Sequence, residues 1–216
     1  GMMIDEGPTH SISANVTLAS DYTFRGISQT DEKPAIQGGF DYEHETGLYV
    51  GTWASNVNFG EGSNSITEMD FYAGFAGETD GGFGYDVSYI YFDYKGDSQF
   101  DYQEFAFSVS YAGFGLGVNY SDEYLGDDGP EFWYPYVQYS HSFFSDEVSL
   151  DLHYGYNDAS DADYDFFGSD DTYSDWSVTL GYSALGLDFA LAYVDTDLDD
   201  LDAADARAVF SVSKSL

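Results

Sequence analysis

Apolar and polar residues alternate along most of this chain. From 83 to 91, aromatic or branched aliphatic residues occupy every second position, and Gly84, Asp86 and Ser88 lie among the residues between them. A repeat of two residues places the two sets on opposite faces of a β-strand, whereas a helix would repeat every 3.6 residues. The alternation recurs in segments of roughly ten residues from His10 to the C-terminus. The apolar positions are Ala14, Val16, Leu18, Tyr22 and Phe24; Met69, Phe71, Ala73 and Phe75; Phe83, Tyr85, Val87, Tyr89 and Tyr91; Phe105, Phe107, Val109 and Tyr111; Phe114, Leu116, Val118 and Tyr120; Val148, Leu150, Leu152, Tyr154 and Tyr156; Trp176, Val178, Leu180 and Tyr182; Leu187, Phe189, Leu191 and Tyr193; and Ala206, Ala208, Phe210 and Val212.

Two further strands carry large side chains on both faces. In 47–57, Leu48 and Val50 oppose Tyr49 and Trp53, and in 131–143 tyrosines at 134 and 136 oppose other large residues at 133, 137 and 139. The pattern alone leaves the facing of both strands open.

The connections between strands alternate in length. The segments number about twelve, an even count as in bacterial outer-membrane barrels. Short turns are predicted at 44–47, 78–82, 112–113, 144–146 and 184–186, and mostly longer acidic loops at 27–33, 59–65, 95–98, 121–130, 157–173 and 196–203. This layout predicts an all-β fold, a transmembrane antiparallel up-and-down β-barrel with both termini on the periplasmic side. Residues 10–216 are expected to form this single domain and residues 1–9 a disordered N-terminal segment. The longest loop, 157–173 with Phe166 and Phe167, is the predicted plug or lid.

Composition narrows the classes of function. Five Lys and Arg against 40 Asp and Glu give a net charge of −35, which repels phosphates and argues against nucleic acid as a partner. An aromatic content of 19% is too high for a disordered acidic chain. The sequence contains no run of eighteen apolar residues, so no transmembrane helix is predicted. It contains no cysteine, so neither a disulfide nor a thiolate metal site is predicted.

A soluble β-sandwich or lipocalin-like barrel is the alternative fold, because one face of its strands would also be apolar. A packed core of that kind should collect aliphatic side chains. In this chain the apolar face carries aromatic rings near strand ends, as lipid interfaces favour. The last residue, Leu216, departs from the aromatic residue with which outer-membrane strands usually end.

The first quarter of the chain carries a family resemblance. Its residues read SDYTFRGISQ at 20–29, PAIQGGFD at 34–41 and YVGTWASN at 49–56. This resembles the TorF-like porin family of proteobacteria, and the rest of the chain matches only in length and strand pattern. The resemblance implies an outer-membrane, porin-like barrel, with a link in some members to trimethylamine N-oxide respiration, and it implies no particular solute.

If the apolar face meets lipid, the polar face lines the lumen. The predicted pore-lining residues are Asp21, Arg25, Gln37, Asp41, Glu68, Asp70, Asp86, Glu104, Asp151, His153, Asp188 and Arg207, and the same rule adds Glu43 and Asp205. A narrow lumen lined by carboxylates concentrates cations and excludes anions. The predicted function is passive diffusion of small neutral, zwitterionic or cationic solutes across the bacterial outer membrane, without a cofactor. The alternative is a closed structural or adhesive barrel with acidic, cation-binding external loops.

Arg25 and Arg207 are expected near the outer ends of the first and last strands, which barrel closure makes neighbours. They would form a basic patch facing carboxylates across a constriction. Alternatively, each arginine would pair with Asp21, Asp41 or Asp205 to hold the seam between the strands.

Enzyme and metal chemistry find little support in the sequence. The histidines are scattered, and Ser140 and Ser142 beside His141 would point to the opposite face of the strand from it, so no catalytic residues are predicted. In the acidic run from Asp195, Asp200 and Ala206 stand where a calcium-binding EF-hand loop needs Gly and Glu. No metal site is predicted. The expected partners are outer-membrane lipid and lipopolysaccharide, small solutes, and divalent cations at the external loops.

Overall fold

The computed structural model describes residues 9–216, and nearly all of its regular structure is β-strand. The strands are β1 His10–Ala19, β2 Thr23–Phe24, β3 Ile27–Ser28, β4 Ala35–His44, β5 Leu48–Asn56, β6 Thr67–Glu78, β7 Gly84–Lys95, β8 Tyr102–Tyr111, β9 Phe114–Ser121, β10 Phe132–Phe143, β11 Val148–Asp158, β12 Thr172–Ala184, β13 Leu187–Thr196 and β14 Arg207–Ser215. Two single-turn 3₁₀ helices, Ser98–Phe100 and Asp202–Ala204, complete the described elements. No helix among these residues has the length and apolar character to cross a bilayer. Of the segment expected to be disordered, residues 1–8 lie outside the described residues.

Twelve of the strands form a closed antiparallel barrel, which confirms the predicted fold class. Each strand from β4 to β14 pairs with its neighbour in sequence, and β1 closes the cylinder by pairing with both β4 and β14. The remaining two strands, β2 and β3, form a small separate hairpin between β1 and β4. Closure leaves the wall with no free sheet edge.

Connections of two kinds lie at the two ends of the barrel. The short-turn end carries 45–47, 79–83, 112–113, 144–147 and 185–186, together with the start of β1 and the end of β14. The long-loop end carries 20–34, 57–66, 96–101, 122–131, 159–171 and 197–206. The two ends therefore differ in how much chain is available to cover them.

The exterior of the barrel is apolar and banded. Along β12, Trp176 lies near the long-loop end, Val178 and Leu180 follow, and Tyr182 lies near the short-turn end, each with 36–52% of its surface exposed. The exposed aliphatic side chains would suit acyl chains and the flanking rings the two interfaces of a bilayer.

The same burial pattern resolves the two strands whose facing the sequence left open. In β5, Leu48 and Val50 are more than half exposed on the exterior, whereas Tyr49 reaches Asp86 across the interior. In β10, Trp133 is exposed and Tyr134 is buried.

Interior tyrosines lie flat against the wall where a neighbouring strand has glycine. A Cβ atom at Gly51 would overlap the Tyr72 ring, and one at Gly155 would overlap the Tyr134 ring. Glycine is needed at such close approaches because any side chain would displace the ring.

The buried core lies at the long-loop end, where aromatic side chains from strands and loops pack together. Phe132 is 0% exposed, and its ring stacks on Tyr124 with centroids 3.6 Å apart. This aromatic cluster comprises Phe92, Tyr94, Tyr102, Tyr124, Phe132, Tyr134, Ala159, Phe167, Tyr173, Leu198 and Ala204. Phe24 and Ile27 of the β2–β3 hairpin pack against it.

Candidate functional site: the barrel interior and its inward hairpin

The loop after β1 folds into the barrel and carries Arg25 with it. β1 ends at Ala19, and Arg25 lies in the turn between β2 and β3 with φ of 51°. The expectation that Tyr22 and Phe24 share the lipid-facing side of the first strand, with Arg25 near its outer end, is therefore wrong. The strand period ends at the turn, and the chain beyond it packs over the interior.

Arg25 forms a two-point ion pair with Glu104 of β8. Its Nη1 and Nη2 atoms each lie 2.7 Å from one carboxylate oxygen, and the two side chains are 6% and 0% exposed. The guanidinium also lies over the rings of Phe24 and Tyr134, at 4.5 and 4.3 Å from their centroids. A planar guanidinium suits both contacts, since it binds a carboxylate through two hydrogen bonds and stacks on aromatic faces.

Three more contacts fix the hairpin to the wall. The Tyr22 hydroxyl donates to Glu68 of β6 at 3.0 Å, and the Tyr173 hydroxyl of β12 donates to the Arg25 carbonyl at 2.8 Å. Phe24 packs on Phe92 of β7, with ring centroids 6.0 Å apart. Because β12 lies across the barrel from β6, β7 and β8, residues 22–25 span the mouth of the barrel.

The second arginine, Arg207, has different partners. Its Nη1 atom lies 3.2 Å from Asp21 and 2.8 Å from Glu32, and its Nε donates to the Asp205 carbonyl. The Arg207–Asp21 pair joins the start of the first loop to β14, which agrees with the seam-holding alternative. The two arginines thus bind separate carboxylates, and Arg25 reaches the far wall.

Other predicted pore-lining residues are held by hydroxyl groups on neighbouring strands. Tyr72 donates to Asp41, Tyr49 donates to Asp86 at 2.6 Å, and the Tyr134 hydroxyl lies 2.8 Å from His153 Nε2. The remaining pairs are Ser140 with Asp151 at 2.5 Å and Ser183 with Asp188 at 2.6 Å. Gln37 is partly buried, whereas Glu43 and Asp205 are exposed. That any of these side chains lines a path for solutes stays a prediction.

Asp175 is an interior residue that the sequence reasoning missed. It is 4% exposed, accepts hydrogen bonds from Tyr134 and Asn157 at 2.9 Å each, and lies 3.6 Å from His153. The signal was present, because Asp175 directly precedes the outward-facing Trp176 and the alternation places it inside.

Two cavities lie on either side of the hairpin. The outer one, about 320 Å³, is walled by loop residues that include Phe59, Phe100 and Phe167. The inner one, about 400 Å³, is walled by strand residues that include Trp53, Asp70 and Tyr72. Phe24 contributes to both, so this side chain stands between them.

Metal ligands are not clustered in residues 9–216: no group of three or more His, Asp or Glu side chains there could hold a metal ion. His141 lies on the exposed face of β10, and His153 lies inside. The prediction of divalent cations at the acidic loops therefore stays a prediction.

A closed barrel of twelve antiparallel strands, apolar outside and polar inside, defines the fold class of outer-membrane porins. KdgM porin superposes on the chain with a TM-score of 0.59 at 7% sequence identity, covering 95% of this chain and 99% of that one. NanC porin gives a TM-score of 0.57 at 11% identity, covering 93% and 97%. Identities this low show the fold alone.

The family is shown by sequence. Residues 5–215 match the model of a bacterial protein family of unknown function, Gcw_chp, and the chain belongs to that family. No curated protein is similar enough in sequence to match.

Proposed function

We propose that this protein is an outer-membrane, porin-like channel for passive diffusion of small neutral, zwitterionic or cationic solutes, and that it has no enzymatic role. The fold supports the first part of this proposal, since the chain superposes over 95% of its length on a barrel called a porin. The preference for solutes depends on the charges inside the barrel.

The observation that carries the proposal is the charge balance of the interior. Of the five Lys and Arg residues, Lys33 and Lys95 are more than half exposed at the long-loop end and Lys214 is exposed near the short turns. The two inside, Arg25 and Arg207, are already paired with carboxylates. Interior carboxylates without a cationic partner would attract cations and exclude anions. They are Asp41, Glu68, Asp70, Asp86 and Asp151.

This charge balance separates the chain from one of its structural neighbours. A KdgM porin structure is described as a complex with disordered oligogalacturonate, a polyanion. A lumen with excess carboxylates would repel such a solute, so the two barrels should differ in the solutes they admit. The TorF-like resemblance likewise stays a prediction.

The proposal is tested by reversal potentials in planar bilayers under a salt gradient. The wild-type protein should conduct with a preference for K⁺ over Cl⁻, and Asp70→Asn should weaken that preference. Asp127→Asn is the matched control, because Asp127 is exposed in a long loop. A preference for Cl⁻ would overturn the proposal.

A closed structural or adhesive barrel is the second candidate, favoured by the inward hairpin. The Arg25–Glu104 pair and the aromatic cluster occupy the long-loop end. The double variant Arg25→Met, Glu104→Gln removes the pair without leaving a buried charge unpaired. A channel closed by the hairpin should then gain conductance. A barrel filled throughout should pass no solute into liposomes in either form.

A further inference from the structure

Asp70 lies between two aromatic side chains on the interior wall. It is the direct cross-strand neighbour of Trp53 on β5 and of Phe92 on β7. Side chains in such direct pairs have Cβ atoms about 5 Å apart and share one face of the sheet. Glu68 and Tyr72, two residues away on either side along β6, face the same way.

Asp70 receives no hydrogen bond from an N–H or hydroxyl group among the described residues. The residue is 8% exposed and lines the inner cavity of about 400 Å³, and its Oδ1 atom is buried in the wall. Glu68, 1% exposed, accepts a hydrogen bond from the Tyr22 hydroxyl, and its carboxyl group also lies within hydrogen-bonding reach of Asp70 and Tyr94. A buried carboxylate with neither a donor nor a cation beside it is costly, and native structures rarely leave one unexplained.

The charges around the inner cavity do not balance. Its arginine, Arg25, is bound at both ends of its guanidinium by Glu104, which leaves Glu68 and Asp70 without a cation. No Lys or Arg of the described chain forms a salt bridge with either of them. A cation in the cavity would offset the negative charge of this carboxyl pair.

The walls indicate which kind of cation. Residues 9–216 hold no cluster of three or more acidic or histidine ligands for a metal ion. Aromatic rings line the cavity instead, at Tyr22, Trp53 and Tyr72, and the rings of Tyr22 and Trp53 meet edge to face at 5.3 Å. Rings around a carboxylate are the usual surroundings of a bound organic ammonium group, whose charge is attracted to ring faces.

We infer that the inner cavity binds a small organic ammonium ion, with Asp70 opposing its charge and Trp53, Tyr22 and Tyr72 surrounding its methyl or methylene groups. This inference rests on the proposed function, because it requires that solutes reach the interior of the barrel. It adds to that function a class of solute and the residues that select it.

Binding is measured on the purified protein in detergent, independently of transport. Trp133 and Trp176 are lipid-facing, so the variant Trp133→Phe, Trp176→Phe leaves Trp53 as the only tryptophan and the reporter of the cavity. Tetramethylammonium chloride should change its fluorescence saturably. The neutral molecule of similar shape, tert-butanol, and sodium chloride at equal concentration should not.

Asp70→Asn should lower the affinity for tetramethylammonium about tenfold or more, because the opposing charge is lost. Asp127→Asn is the matched control, since Asp127 is exposed in a long loop outside the cavity and its replacement should leave the affinity unchanged. Equal binding of tert-butanol, or full affinity in Asp70→Asn, would overturn the inference. Saturable binding without any conductance would support the ammonium site and contradict the proposed channel. Cation-selective conductance without saturable binding would support the channel and contradict the ammonium site.

Discussion

Single carboxylates in the long loops hold neighbouring backbone in place. Asp97, 7% exposed after β7, accepts hydrogen bonds at one oxygen from the Asn64 amide at 2.6 Å, the Ser63 hydroxyl at 2.9 Å and the Ser65 amide at 3.0 Å. Burial works to raise the pKa of Asp97, but these hydrogen bonds overcome that effect and lower the pKa below its ordinary value. Hydrogen bonds to a carboxylate favour its charged form.

Asp97→Asn should therefore loosen residues 63–65 in a way that depends on pH. Because the folded pKa is depressed, the stabilisation is fully present above the unfolded value of about 3.9 and is lost as pH falls through the lower folded value. Amide hydrogen exchange at Asn64 and Ser65 should be faster in the variant at pH 7. The difference from wild type should shrink in samples incubated at progressively lower pH below that value.

Asp127→Asn, an exposed loop substitution, should leave exchange at those two amides unchanged at every pH. Equal exchange in Asp97→Asn and wild type at pH 7 would contradict the role assigned to Asp97.

At the level of elements, the β2–β3 hairpin decides whether the mouth is covered. Its turn requires Gly26, which has φ of 81° and lies against β12 and β13. A Cβ atom there would overlap Thr196 Cγ2 and lie 3.0 Å from Asp175 Cβ. Glycine serves both needs, since it has no Cβ and adopts positive φ without strain.

Gly26→Ala should displace the hairpin and destabilise the barrel. Gly60→Ala is the matched control, because Gly60 has φ of 86° and no atom within 4 Å of its ideal Cβ. Both variants pay the backbone cost of about 1–2 kcal/mol. The overlap at position 26 should add about 1–3 kcal/mol in urea unfolding from micelles. Conductance should rise in Gly26→Ala alone, and equal behaviour of the two variants would argue against a hairpin packed on the wall.

For the molecule as a whole, the apolar exterior of the barrel determines whether it is stable in water or in a bilayer. Leu180 of β12 is 52% exposed, and its direct cross-strand neighbours are Leu150 and Leu191. An aliphatic belt of this kind is stable facing acyl chains and would be an aggregation site in water.

Leu180→Arg should lower the free energy of unfolding from lipid vesicles by about 2–4 kcal/mol, the cost of a charge facing lipid near the midplane. Leu185→Arg, at a two-residue turn where the side chain is 94% exposed, should change it little. Folding to a monodisperse state without detergent, with Leu180→Arg as stable as wild type, would contradict a membrane-spanning barrel.

Features that depend on residues close together in the chain could be predicted from the sequence, and features that depend on distant residues could not. The outward-facing positions of β12, from Trp176 to Tyr182, follow from a local period of two, and so does the interior position of Asp70. The facing of β5 and β10 did not follow, since large side chains occupy both faces and only the register against Gly155 and other neighbours places the tyrosines inside. The position of Arg25 was the largest error, because the strand pattern was extended past Ala19 into a turn.

The sequence by itself determined the strand count, the two faces and the alternation of short turns with long loops, because each depends on residues close together in the chain. Only the tertiary structure decided what fills the mouth and where the interior charges meet. Arg25 and Glu104 are 79 residues apart, and Tyr173 binds the Arg25 carbonyl from 148 residues away. Closure of the barrel brings such groups together, and their pairing cannot be predicted from a repeat of neighbouring residues.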